Sequence, residues 1–161
     1  MTDEALELLR SQSGLSIDAE GRFLHRGEPI THARTLEVLW RSLERTGDGR
    51  YLVRIGRESG YVAIEAAPYA VRGVLEEPGG APWLLLSDGS REALAPATLT
   101  VGADGVLRCE VKGGHAARFT RAAQIALGLA LEESPPGSGR YELVVGGVRY
   151  PVRAGALDAA P

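Results

Sequence analysis

The sequence predicts an α+β fold of two related halves, each made of mostly antiparallel strands with one main helix. Three observations predict it. The stretch "GDGRYLVRIG" (47–56) returns about ninety positions later as "GSGRYELVVG" (137–146), so a Gly-Arg-Tyr opens an apolar strand twice. Short apolar runs alternate with turns that end in glycine, such as Asp88-Gly89, Asp104-Gly105 and Gly146-Gly147, the signature of hairpins. Two stretches, 28–49 and 115–134, space their apolar residues as a helix does.

Thr2 or Asp3 caps a first short helix with Ala5, Leu6, Leu8 and Leu9 on its apolar side. "LSIDAEGRFLHRG" then gives two short strands around a Glu-Gly turn. In the 28–49 helix, Leu36, Leu39, Trp40 and Leu43 share one face, and Gly47 ends it. The strands "RYLVRI", "GYVAIEAAP" and "YAVRGVLEE" follow, and "PGGAP" (78–82) is the strongest loop signal in the chain. "WLLLSDGSREALA" is a hairpin.

From Leu99 the order strand, strand, helix, strand, strand restarts. Adding 84 to the first copy's numbers sets Leu15 on Leu99, Ile17 on Val101, Gly21 on Gly105, Arg34 on Arg118 and Leu43 on Leu127. After the insertion "EESPPG", Gly49-Arg50-Tyr51 falls on Gly139-Arg140-Tyr141. The chain reads as an internal duplication, with halves at 1–77 and 78–161 and a frayed tail from about 156. In the second helix Phe119, Ala122, Ala123, Ala126, Leu127 and Ala130 form a small-residue face, which predicts close packing and deeper burial. Gly128 in its middle costs about 1 kcal/mol relative to alanine unless close approach requires it.

At 161 residues, 44% hydrophobic and 24% charged, the chain has the composition of an ordinary globular protein. Its net charge of −3 is opposite to the basic excess that drives non-specific nucleic-acid binding, so no nucleic-acid partner is expected. No stretch approaches the ~20 apolar residues of a membrane span. The N-terminal "MTDEALELLRSQSG" has acids where a signal peptide has bases, and a single cysteine, Cys109, permits no intrachain disulfide; a cytoplasmic protein is the expectation. Arginine supplies nearly all the positive charge, with one lysine, Lys112, and no asparagine.

The first copy also resembles a family. "SIDAEGRFLHRGEPI", "DGRYLVRIGRE" and "IEAAPY" are similar, in order and spacing, to the bacterial family known as domain of unknown function 1285. The shared residues are Ile17, Gly21, Phe23, Gly27, Pro29, Ile30, Asp48, Gly49, Tyr51, Glu58, Ile64, Glu65, Pro68 and Tyr69, spanning roughly 15–69. Ile55-Gly56 replaces the family's Thr-Pro, Ala66 replaces its Asp, and His32 stands where it usually has a basic residue. The resemblance implies two structurally related halves, the second like a pleckstrin-homology barrel. It also implies a nucleotide-type ligand between the halves and a signalling role; it carries no established activity and no resident cofactor.

Among candidate site residues, "KGGHAARF" sets Lys112, Gly113, Gly114 and His115 before a predicted helix, where backbone amides and a cation could hold an anion. Arg34 and Arg118, equivalent under the repeat, suit phosphate or carboxylate recognition if both face one cleft. His32 joins them as a ligand-binding candidate. His25, His32, His115 and Cys109 match no zinc-ligand spacing. No Gly-x-Ser-x-Gly elbow is present, Cys109 lies mid-strand, and Glu58 and Glu65 flank a turn on a solvated strand face. The leading expectation is therefore a non-catalytic module binding a nucleotide or other anion. A protein-interaction domain that adds a partner strand at a free sheet edge is the alternative, and an enzyme of unassigned reaction the third.

Overall fold

The structure, a computed structural model, describes residues 3–10 and 14–155. The expected cap at Thr2 and the tail from 156 lie outside the described residues. The fold is α+β, with three α-helices and mostly antiparallel sheets among the described residues. The chain forms two compact units that divide between Pro68 and Tyr69, ahead of the expected 77/78 boundary.

The first unit runs α1 (Asp3–Arg10), β1 (Leu15–Ile17), β2 (Phe23–His25), β3 (Glu28–Pro29), α2 (Ala33–Arg41), β4 (Leu43–Arg45), β5 (Tyr51–Ile55) and β6 (Glu58–Ile64). Its six strands form one sheet in the order β3-β2-β1-β6-β5-β4, antiparallel except for β1 against β6. The alternation of buried Leu15, Ile17, Phe23, Val53, Ile55 and Val62 makes one sheet face apolar, and Val38, Leu39, Ala5 and Leu9 of the helices complete that core. Phe23 meets Trp40 edge-on at 4.6 Å between ring centres. The predicted 28–49 helix is shorter than expected: it stops at Arg41, and Leu43–Arg45 pairs with β5 instead.

The second unit runs β7 (Tyr69–Leu75), β8 (Trp83–Leu86), β9 (Arg91–Ala93), a 3-10 turn (Pro96–Thr98), β10 (Thr100–Val101), β11 (Leu107–Val111), β12 (His115–Phe119), α3 (Arg121–Gly128), β13 (Leu131–Glu133), β14 (Tyr141–Val145), β15 (Val148–Pro151) and β16 (Arg153–Ala154). Seven strands form an open sheet, β16-β10-β11-β12-β7-β8-β9, and β13-β14-β15 form another. Both have free edges, so no closed barrel forms among the described residues. Because β7 lies between β12 and β8, it belongs to the second unit, which is why the division precedes "PGGAP". Helix α3 packs on β7 and β12, burying Ala123 and Leu127.

The strand registers recur. Ser16 faces Leu24 as Thr100 faces Arg108, an offset of 84 on both strands. Leu52 faces Tyr61 as Glu142 faces Pro151, an offset of 90. Ser16 runs parallel to Ala63 as Thr100 does to Arg153, combining the two offsets. The helices follow a third offset: the N-caps are His32 and Thr120, 88 apart, each accepting the amide three residues on. Arg34 therefore corresponds to Ala122, and the expected equivalence of Arg34 and Arg118 fails. Arg118 lies in β12, opposite Arg108 and Ala70.

Candidate functional site

The "KGGH" anion turn does not form as predicted. His115–Phe119 is a strand, so Gly113 and Gly114, with φ of 78° and 134°, make the β11–β12 hairpin turn and precede no helix. Nor is the lysine of that turn a spare cation. Lys112 Nζ lies 2.7 Å from Asp88 Oδ2 and 5.6 Å from the centre of the Tyr69 ring. Its backbone N–H donates to both Glu92 carboxylate oxygens at 3.1 and 3.2 Å. Asp88 Oδ1 also accepts from the Ser90 amide and hydroxyl at 3.0 and 2.6 Å. Burial works against the Asp88 charge, but the bonds from Lys112 and Ser90 outweigh it and hold the carboxyl below its usual range. His115 stands edge-on to Tyr69 at 5.7 Å. This cluster ties the β8–β9 turn to the β11–β12 turn.

The other candidates are likewise engaged in the fold. His32 caps α2, its Nδ1 accepting from Thr35 N at 3.3 Å, and lies 3.6 Å from Glu4 Oε2. Arg34, in the first unit, reaches Glu37 at 3.5 Å on the exposed side of α2. Cys109 is buried, and burial together with the charges of Glu92 and Glu110 pushes its thiol up to about 12. His25 buries Nε2 without a hydrogen-bond partner among the described residues. Glu58 pairs with Arg10 at 3.6 Å, and Glu65 accepts the Ala19 amide. No group of three His, Cys, Asp or Glu suited to a metal occurs among the described residues.

A concavity lies elsewhere in the second unit, where the sequence showed only a loop. A pocket of about 370 Å³ is lined by the β7–β8 loop (Glu76, Glu77, Pro78, Gly79, Gly80, Pro82), by Ala126 of α3 and Ala130 just past its end, and by Leu143, Val144 and Gly146. Two glycine turns meet across it: a Cβ on Gly146 would lie 3.8 Å from the Gly79 carbonyl oxygen. The Glu77 stem folds over Gly80, where a Cβ would come within 3.2 Å of its Cγ. The small-residue face of α3 is thus partly right and partly wrong. Ala123 and Leu127 pack inward, but Ala122 and Ala126 are exposed, as are Ile125 at 60% and Leu129 at 87%. Gly128 ends the helix with open space where a Cβ would stand, so close approach does not explain it.

No family model matches the sequence, and no curated protein matches it. Solved structures do. A DUF1285 family protein from Silicibacter pomeroyi DSS-3 is 17% identical, matches with a TM-score of 0.68, and aligns 86% of this chain with 79% of its own. A DUF1285 family protein from Shewanella baltica OS155 is also 17% identical, with a TM-score of 0.59 over 71% of this chain and 90% of that one. The chain has the DUF1285 fold.

Within that fold the residues that carried the resemblance have identifiable jobs. Asp48 and Gly49 turn the β4–β5 hairpin. Asp48 Oδ2 receives Arg50 Nε at 2.9 Å, and its other oxygen receives the Thr46 hydroxyl. The Arg50 guanidinium then covers the Tyr61 ring at 4.1 Å. At the later Gly-Arg-Tyr, Ser138 stands at the aspartate's place in the motif and accepts the Arg140 amide at 3.1 Å. Both Gly-Arg-Tyr motifs therefore build turns, with Gly49 and Gly139 at positive φ, 87° and 74°.

Proposed function

We propose that this chain is a non-catalytic ligand-binding module whose site is the pocket beneath the 76–82 loop. The observation that carries the reading is the pocket itself: about 370 Å³ falls within the roughly 300–1,000 Å³ of small-molecule sites. Its walls are mostly aliphatic and glycine-rich, with Glu76 and Glu77 as the charged residues, and none of the residues lining it is a histidine, cysteine, serine or lysine. That inventory suits holding a molecule rather than transforming one. A binding module of this kind fits a regulatory or signalling role. The recurring strand registers support reading the two halves as an internal duplication, with the pocket confined to the second copy and its added β7–β8 hairpin. The sequence resemblance and the shared fold together support placing the chain within the DUF1285 family.

Amide chemical shifts, recorded against a panel of nucleotides, simple anions and small organic amines, test the reading. A ligand of the pocket perturbs residues 76–80, 126–130 and 143–146, and Ala126→Trp, which fills the void from an exposed helix position, abolishes the effect. At a hundred times its dissociation constant such a ligand adds about 2.7 kcal/mol of stability, a midpoint rise of roughly 5–10 °C. Shifts centred on Lys112 and Arg118 instead would restore the anion reading. A panel with no response at the pocket would refute the proposal.

A further inference from the structure

We infer that the free edge of β9 takes an extended segment of a partner protein as an added strand, one with an acidic residue two positions from a large apolar one. This surface is separate from the pocket: alternation along β7 sends Val74 to the pocket and Leu75 to the opposite face of the sheet. Two rows of that opposite face run up to β9. Leu75, Trp83 and Ala93 stand opposite one another across β7, β8 and β9, and Gly73, Leu85 and Arg91 form the next row. Trp83 is 38% exposed and Leu75 43%, so the apolar row is open to a partner. A Cβ on Gly73 would stand 2.9 Å from Leu85 Cδ1, which shows Leu85 leaning toward β7 and away from the edge.

The backbone of this edge is unpaired. Leu86 N donates to the Ser90 carbonyl at 2.9 Å and Leu94 N to the Pro82 carbonyl at 2.8 Å. Ser90, Glu92 and Leu94 therefore aim their backbone groups at β8, and the N–H and C=O of Arg91 and Ala93 point away from it. Those groups have no hydrogen-bond partner among the described residues. The edge strands β3 and β15 carry Pro29 and Pro151, which lack the donor, whereas β9 carries no proline. An open backbone edge and an apolar face beside it suit one occupant, an added strand. The residue of that strand opposite Arg91 shares its face, and the exposed guanidinium, without an ion pair among the described residues, selects a carboxylate there. The residue opposite Ala93 meets only a methyl group, which leaves room for a large apolar side chain to reach Trp83. A second copy of this chain suits the edge less well. Pairing both outward-facing residues about a twofold sets each Glu92 opposite the same residue of the other copy, like charge against like.

Selection of a random peptide library displayed on phage against the full chain tests the inference. Enriched sequences are expected to place Asp or Glu two positions from Leu, Ile, Phe or Trp. The strongest of them, made as a synthetic peptide, should shift the amides of residues 83–93. Arg91→Glu, at an exposed position, should weaken that peptide about fivefold to tenfold. Ala93→Pro removes a donor that β8 does not use and should abolish binding. Urea midpoints verify that both variants fold, and Arg91→Glu decides alone if the proline variant does not. No enriched pattern, a peptide that binds both variants as it binds the wild type, or shifts at the pocket in place of 83–93 would overturn the inference. So would self-association of the chain that Ala93→Pro abolishes, which would give the edge to a second copy.

Discussion

Lys112 is the residue where a ligand-binding and an architectural role make opposite predictions. Its ammonium sits 2.7 Å from Asp88 with 29% and 13% of the two side chains exposed. At that separation the Coulomb attraction is about 1.5 kcal/mol in bulk water and about 6 kcal/mol at an effective dielectric constant of 20. Desolvating both ions and ordering the lysine stem offset most of the larger figure, leaving about 1–2 kcal/mol. Lys112→Met should therefore lower urea stability by about 1–2 kcal/mol, with a midpoint drop of roughly 3–6 °C for a chain this size. Asp88→Asn should lose a similar amount, and the double variant less than the sum, giving a coupling energy of about 1 kcal/mol. The pH dependence has a definite sign. Asp88 has its pKa depressed in the folded state, so the stabilisation is complete above the unfolded carboxylate value near 4 and is lost as pH falls below it. Wild type and Lys112→Met should therefore converge in strongly acid solution. A coupling below about 0.3 kcal/mol, or a difference that persists unchanged into acid, would refute the reasoning.

Two further outcomes follow from the packing. Leu127 is fully buried on the inner side of α3, so Leu127→Ala should cost about 2–5 kcal/mol in urea titration; a loss below about 1 kcal/mol would mean that α3 is not anchored where described. Cys109, buried with its thiol pushed up to about 12, should resist an aromatic disulfide reagent in mildly alkaline buffer and react fully in denaturant. Rapid labelling of the native protein would contradict its burial.

Much of the fold was legible because glycine turns and period-two burial are local signals. Gly105, Gly89 and Gly146-Gly147 each take the positive φ that the sequence demanded of them. What misled was alanine. "HAARFTRAAQIALGLALEES" has helical propensity throughout, yet Ala117 and Phe119 alternate inward in β12, where pairing with β11 on one side and β7 on the other overrides propensity. That error carried the anion site with it, since Lys112 was placed before a helix that begins only at Arg121. The 28–49 helix was overextended for the same reason, the pairing of β4 with β5 being invisible in the local sequence. The pocket was not legible at all. Its wall draws on the 76–82 loop, α3 and the β14–β15 turn, and only their folding brings together segments as far apart in the chain as Val74 and Gly146.

The position of β7 inside its sheet has a consequence during synthesis. Its partner on one side, β8, follows within a few residues, but on the other side Tyr69 must wait for Ala117, forty-eight residues later. At a translation rate of about 5–20 residues per second, that edge stays open for about 2–10 s after β7 is made. For that interval the nascent chain presents Tyr69, Ala70 and Val71, all buried in the finished protein, along an unpaired strand. The first unit is by then complete in sequence. The second is the one that reaches its final form only once the ribosome has moved well past its first strand.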